Sequence, residues 1–423
     1  MPWSRSRATV ALLLAALALP TLDAAAASPA TSGAPAATPA ATTPAKADLP
    51  SVAPDDFYVL DPVPPGPPGE LLRSQELYAP DGYRLWAILY RSTGLQGEPI
   101  AVSGLAVAQD PATVLDGPVG ARRQVTAPDG THPVLSIAHG TTGLADSCAP
   151  SRDPIKRLEL VAAGFPAADD GWVVVATDYP GLGTPGPHPY IVGLSEGRAV
   201  LDAARAAQQL PDLHASDRVA LQGISQGGHA TLWAAQLAPT EAPELDVVGA
   251  VAAAPAGDLR AIADWARSGS ETKDSWQNTI AVATAWSEVY GLPLDHLLTP
   301  AGMEASARLA TECRAKPQEQ PLQIDEAIQP EWERLLDENS PGAVGAPMPI
   351  LYLQGTADEQ IPLETAHATL KRLCAVHDTV EYRELPGVDH AGSLYGDDRV
   401  TEARAWLADR LAGLPTTATC PAA

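Results

Sequence analysis

Residues 219–231 read V-A-L-Q-G-I-S-Q-G-G-H-A-T, and few stretches of this chain leave the backbone so little choice. A short apolar strand runs into Gly223-Ile224-Ser225-Gln226-Gly227, and an alanine-rich helix starts at once behind it. Glycines on both sides of the serine allow the strand and the helix to approach closely, so the serine sits at the tip of a sharp strand-to-helix turn. The pattern alone does not settle the matter. Gly193-Leu194-Ser195-Glu196-Gly197 repeats it, and with 34 glycines in 423 residues one such match is by chance a roughly 10 to 20% event, so the motif needs its context.

The surrounding chain supplies the context. Residues 75–79, 83–92 and 100–108 are apolar and partly alternating, with turn signals at 80–82 and 94–99, and predict antiparallel strands that open a mixed sheet. Residues 134–138 and 172–176 are short apolar runs of the kind buried in a parallel sheet. Helical spacing over 196–210, a strand over 217–222, a helix over 226–237 and a strand over 247–254 then give the alternation of parallel βαβ units. From 257 to about 347 the alternation stops, replaced by helical patterns carrying Trp265, Trp276, Trp286 and Trp332. It resumes with a strand at 348–354, a helix at 363–375, a strand at 379–385 and a helix at 399–411. The expected fold is α/β, with a mostly parallel central sheet, antiparallel N-terminal strands and an inserted helical cap. The tryptophans are read mainly as core of that cap.

The N-terminus reads as an export signal: Arg5 and Arg7, an apolar run over 10–19 too short to span a bilayer, and small residues at 24–27. Residues 1–27 are therefore set aside, and 28–70 is expected to be an Ala/Thr/Pro-rich linker and extended segment. The core is expected over 71–256 and 347–420, with the helical insertion at 257–346. A formal charge of -24 argues against nucleic acid or anionic membrane surfaces as partners. No stretch beyond the signal approaches the length of a membrane span, so no stable membrane insertion is expected. Cys148, Cys313, Cys374 and Cys420 suit two disulfides in an oxidising compartment, with three pairings open. No two cysteines lie close enough in sequence to suggest a metal site, and nothing calls for a cofactor.

A serine hydroxyl needs a base, and a histidine base needs a carboxylate to set its tautomer. In a turn of this kind the expected chain order is serine, acid, histidine, each on a loop after a strand. Before Ser195 a Gly/Pro-rich loop leaves only Tyr190 to Val192 as a possible strand, too short for a central one; Ser195 is expected to cap a helix. Ser225 follows a full strand. Asp358 follows the strand at 350–354, whereas Asp258 begins the insertion and Asp389 adjoins the histidine, with its side chain pointing away. His390 follows the last strand. His229 lies one helical turn beyond Ser225 and is expected to pack there. Backbone N–H groups of Gln226 and of Thr141 or Thr142, in the loop after strand 134–138, are expected to form an oxyanion hole. His139 is expected to shape that loop, and residues 178–183 to line the pocket.

Assembled, these features resemble the α/β-hydrolases, and more closely the secretory lipase family that includes the fungal lipase A type. The likeness rests on H-G-T-T-G at 139–143, C-A-P-S at 148–151, D-Y-P-G-L-G at 178–183, G-I-S-Q-G-G at 223–228, the helical insert, and Asp358 with His390. It implies an α/β-hydrolase fold, hydrolysis of small-molecule or lipid esters, triacylglycerol included, through an acyl-enzyme, and a cap that shapes the acyl site. It also implies the pairs Cys148–Cys313 and Cys374–Cys420. The expected protein is a secreted serine esterase or lipase with catalytic Ser225, Asp358 and His390. Rivals are a peptidase or acyltransferase on the same fold, and a catalytically silent binding protein.

Overall fold

The computed structural model describes residues 49–110, 130–269, 272, 275–376 and 379–420; the expected export signal and most of the linker lie outside them. Nine strands form one sheet: β1 (Leu71–Leu77), β2 (Tyr83–Thr93), β3 (Pro99–Gln109), β4 (His132–Ala138), β5 (Val173–Thr177), β6 (Ala215–Ile224), β7 (Asp246–Ala253), β8 (Ile350–Gly355) and β9 (Val380–Leu385). Their spatial order is β1-β2-β3-β5-β4-β6-β7-β8-β9. The first three strands pair antiparallel, β3 pairs antiparallel with β5, and from β5 to β9 every pairing is parallel. The expected mixed sheet is therefore present, and strand ends differ from those read in the sequence by a few residues.

Chemistry follows position in the sheet. The inner strands β5 and β8 are buried throughout, consistent with V-V-V-A-T and I-L-Y-L-Q-G. Edge strand β1 buries only Leu77. Helices α1 (Pro154–Asp169), α2 (Gly193–Ala207) and α3 (Gln226–Glu241) follow β4, β5 and β6. Helices α2 and α3 pack alanines against one face of the sheet, beside Val200, Val219 and Tyr352. On the other face Leu160 of α1 shares a second buried apolar cluster with Trp406 and Leu407 of the C-terminal helix. Asp153 caps α1, its carboxylate accepting from the N–H of Ile155 at 2.8 Å.

Between β7 and β8 lie α4 (Leu259–Arg267), α5 (Trp276–Tyr290), α6 (Leu294–Leu297), α7 (Pro300–Arg308) and α8 (Gln329–Asn339). This helical block has its own apolar centre, where the Trp286 and Trp332 rings lie 5.0 Å apart and pack on Tyr190, Ile191 and Val192. The Trp286 indole N–H donates to the Tyr190 carbonyl at 3.1 Å. The chain closes with α9 (Leu363–Cys374), the single turn α10 (Gly392–Tyr395) and α11 (Asp397–Leu411).

The stretch 49–70 forms neither a strand nor an α-helix, but it does not hang free. Phe57 and Tyr58 are buried, and the Tyr58 hydroxyl donates to the Ser151 carbonyl at 3.1 Å. Cysteines pair as Cys148–Cys313 and Cys374–Cys420, with Cα–Cα distances of 5.5 and 5.4 Å. The first ties the loop after β4 to the helical block, the second ties α9 to the C-terminal segment.

Candidate active site

Ser225 occupies the single residue between β6 and α3, at φ 59 and ψ -119. A non-glycine residue there costs on the order of 1–3 kcal/mol and persists only where the surroundings hold it. They do so here: the Ser225 N–H donates to the Ala253 carbonyl at 3.0 Å, and its carbonyl accepts from the His229 N–H at 3.0 Å. The flanking glycines answer to space. A Cβ on Gly223 would lie 2.2 Å from the Gly227 carbonyl oxygen, and one on Gly227 would lie 1.9 Å from that of Ala138.

Asp358 and His390 lie 32 residues apart in sequence, in loops beyond β8 and β9, and meet at 2.7 Å between Oδ2 and Nδ1. The Asp358 carboxylate also accepts from the N–H groups of Gln360 and Ile361, both at 2.8 Å, and from the Gln354 side chain at 3.1 Å. So held, it orients the imidazole. A carboxylate accepts, which assigns the hydrogen of neutral His390 to Nδ1 and leaves Nε2 as an acceptor.

Ser225 and His390 line one cavity of about 730 Å³, together with His139, Gly140, Thr141 and Thr142. A Cβ built on Gly140 would lie 3.8 Å from Cβ of Ser225, which sets the loop after β4 beside the serine. The Gln226 N–H opens α3 and has no acceptor within its own helix. Thr141 donates to or accepts from the Tyr190 hydroxyl at 2.7 Å. His139 is buried, with its ring 4.6 Å from that of Tyr179, and burial lowers its pKa to about 4. It is neutral at ordinary pH and shapes the loop.

Two expectations require correction. Ser195 does not cap a helix: α2 begins at Gly193 with Val192 at the cap, and Ser195 lies buried in the first turn. The helix starts earlier because Val192 is the last extended residue. Residues 178–183 do not line the cavity. Asp178 is buried, accepting from the Ser103 hydroxyl at 2.6 Å and the Ser151 N–H at 3.0 Å, as well as from the Ser151 hydroxyl. Burial raises its pKa to about 6. D-Y-P-G-L-G and C-A-P-S are thus joined to each other, and of the two only C-A-P-S reaches the cavity, through Pro150.

Glu196, which sequence reading passed over, lies under the site. Its Oε1 accepts from the Gln226 side chain at 2.8 Å and the Ile191 N–H at 2.9 Å, while Oε2 meets His229 Nδ1 at 2.9 Å. His229 Nε2 meets the Asn339 carbonyl at 2.8 Å. No local signal marks Glu196, because the side chains it meets, Gln226 and His229, come from α3, 30 and 33 residues away. Among the described residues no group of His, Cys, Asp and Glu could hold a metal ion, and no helix is long and apolar enough to cross a membrane.

Comparison with known proteins adds kinship. Residues 160–270, which include Ser225, match the family described as Secretory lipase. Lipase A of Moesziomyces aphidis is 32% identical over 231 residues, 53% of this chain and 47% of that protein, so the chain spans about half its length. A Mycobacterium tuberculosis protein named "Probable inactive lipase MT1628" is 26% identical over 83% of this chain and 80% of its own. Among solved structures, Candida antarctica lipase A in its closed state superposes with a TM-score of 0.62 at 18% identity, over 90% of this chain and 89% of that one. A ligand-bound form of the rice cell wall degrading esterase LipA from Xanthomonas oryzae gives 0.61 at 20% identity, over 82% and 100%. By sheet order and by these matches, the chain has the α/β-hydrolase fold and is related to the secretory lipases.

Proposed function

We propose that the protein is an exported serine hydrolase that cleaves carboxylic esters through an acyl-enzyme on Ser225. The observation that carries this reading is the coincidence of a strained Ser225 and an Asp358-oriented His390 in the lining of one cavity. Ser225 Oγ attacks the ester carbonyl as His390 Nε2 takes its proton, and Asp358 steadies the imidazolium. The oxyanion is met by the N–H of Gln226 and that of Thr141 or Thr142. His390 returns the proton to the leaving alcohol, and water, deprotonated in turn by His390, releases the acid and restores Ser225.

Residues 1–27 serve as the export signal. The helical insert 257–346 serves as the cap on a core of 71–256 and 347–420. The two disulfides support an oxidising destination. Labelling with a fluorophosphonate, followed by peptide mass spectrometry and turnover of para-nitrophenyl esters, tests the reading. An adduct on Ser225 with turnover is expected, and an adduct on Ser195 instead would sink it. A second reading, a scaffold that binds esters without turnover, is favoured by the kinship to the relative named as inactive; an unlabelled Ser225 and no turnover would select it.

A further inference from the structure

The lining of the cavity does not match the charge of the chain. The protein has 51 Asp and Glu against 27 Lys and Arg, yet the charged residues among those lining this cavity are Lys156 and Arg314, with no Asp or Glu in the lining. Both cluster at the Cys148–Cys313 disulfide. Arg314 follows Cys313 directly, and Lys156 Nζ lies 3.0 Å from Cys313 Sγ and 3.4 Å from the Cys148 carbonyl oxygen. Lys156 has Asp153 at 3.7 Å, whereas Arg314 is exposed and has no ion pair among the described residues. The disulfide therefore fastens a guanidinium from the helical block to the wall that carries the oxyanion loop.

The remaining lining is mixed: Leu160, Pro166, Ile224 and Val400 give it an apolar side, and Gln277, Asn278, Gln360 and Thr401 a polar one. Gln277 and Asn278 open α5 beside Gln360, and Asn278 donates to Gln360 at 3.3 Å. Buried polar atoms on three lining residues, His139 Nε2, Thr142 Oγ1 and Gln277 Oε1, have no hydrogen-bond partner among the described residues. Groups of this kind cost stability while unmet and favour a ligand that brings its own donors and acceptors. A long acyl chain brings none.

We infer that the preferred substrate is a compact, polar ester bearing an anionic group, a carboxylate above all, which Arg314 and Lys156 attract while the ester carbonyl lies at Ser225. This rests on the proposed ester hydrolysis. In a strongly negative protein, a locally positive cavity selects such a substrate by focusing its approach and pairing its charge, and salt weakens both effects.

The test compares para-nitrophenyl hemiglutarate with para-nitrophenyl hexanoate, an uncharged ester of similar length, each corrected for spontaneous hydrolysis. The full-length mature enzyme should favour the hemiglutarate in kcat/KM by roughly 5- to 20-fold at low salt, and ionic strength near 0.5 M should shrink that ratio severalfold. Arg314→Gln should bring it close to parity and Arg314→Glu should invert it. Lys156→Gln, a second variant should Arg314 substitutions disturb folding, should lower the ratio less, because Asp153 already shares its charge. Equal use of both esters, a ratio indifferent to Arg314→Glu, or a preference that climbs with acyl length would overturn the inference while leaving ester hydrolysis standing. Failure of both esters together with an unlabelled Ser225 would remove the hydrolase reading and this inference with it.

Discussion

Each of the two G-x-S-x-G segments stands beside a histidine hydrogen-bonded to a carboxylate, and the two pairs differ in one respect that governs their chemistry. In the pair near Ser225, Asp358 engages Nδ1 of His390, the imidazole is 13% exposed, and no described residue bonds Nε2. In the pair that includes Glu196 of the other segment, both side chains are 0% exposed. His229 there spends Nδ1 on Glu196 and Nε2 on the Asn339 carbonyl. A carbonyl only accepts, so Nε2 of His229 must carry a hydrogen, and neither nitrogen is left for a substrate. The serines differ in the same sense: Ser225 stands at a left-handed turn on a cavity wall, while Ser195 is enclosed in a regular helix. A histidine and an acid at hydrogen-bond distance do not make a base; a vacant second nitrogen beside an open site does.

The largest test of this contrast is Ser225→Ala against Ser195→Ala. The first is expected to lower kcat for ester hydrolysis by on the order of 10³-fold or more, and the second to leave it within about twofold. Comparable losses in both would erase the distinction. Next, Asp358→Asn should reduce kcat by up to about 10⁴-fold with little change in thermal unfolding, because an amide disturbs the tautomer of His390 and leaves the fold. Retained activity would separate Asp358 from the chemistry.

Glu196→Gln should show the opposite balance. It weakens a fully buried pair and the contacts to Gln226 and Ile191, so a loss of about 1–3 kcal/mol in urea unfolding is expected, with kcat falling about tenfold or less. A larger kinetic than thermodynamic effect would give the enclosed pair a catalytic part. The smallest effect is expected of His139→Gln. Burial holds this ring neutral well above its pKa of about 4, so the pH dependence of kcat/KM between pH 5 and 8 should keep its position even if the rate changes modestly. A displaced profile would mean that His139 titrates with the reaction.

Much of the fold was legible because its signals are short-range. Uninterrupted apolar runs such as residues 173–176, and glycines flanking Ser225, state their preference for buried strand or tight turn without help from distant residues. The rhythm of strands and helices on either side of the helical block was readable for the same reason. Where reading failed, the cause was long-range. Ser195 looked like a cap because the start of α2 depends on how residues 190–192 pack beneath Trp286. Residues 178–183 looked like pocket lining because a glycine-rich loop after a strand has no local mark of what it faces; Ser103 and Ser151 draw Asp178 inward.

From the sequence alone came the order of elements and the positions of Ser225, Asp358 and His390 at strand ends, since periodicity and turn chemistry act over a few residues. Only the tertiary structure decided which histidine keeps a free nitrogen, that Glu196 lies under Gln226, and that Arg314 reaches the cavity through a disulfide joining residues 165 apart. Those outcomes depend on contacts between segments far apart in the chain, which no local pattern encodes and which burial and hydrogen bonding select only once the sheet has assembled.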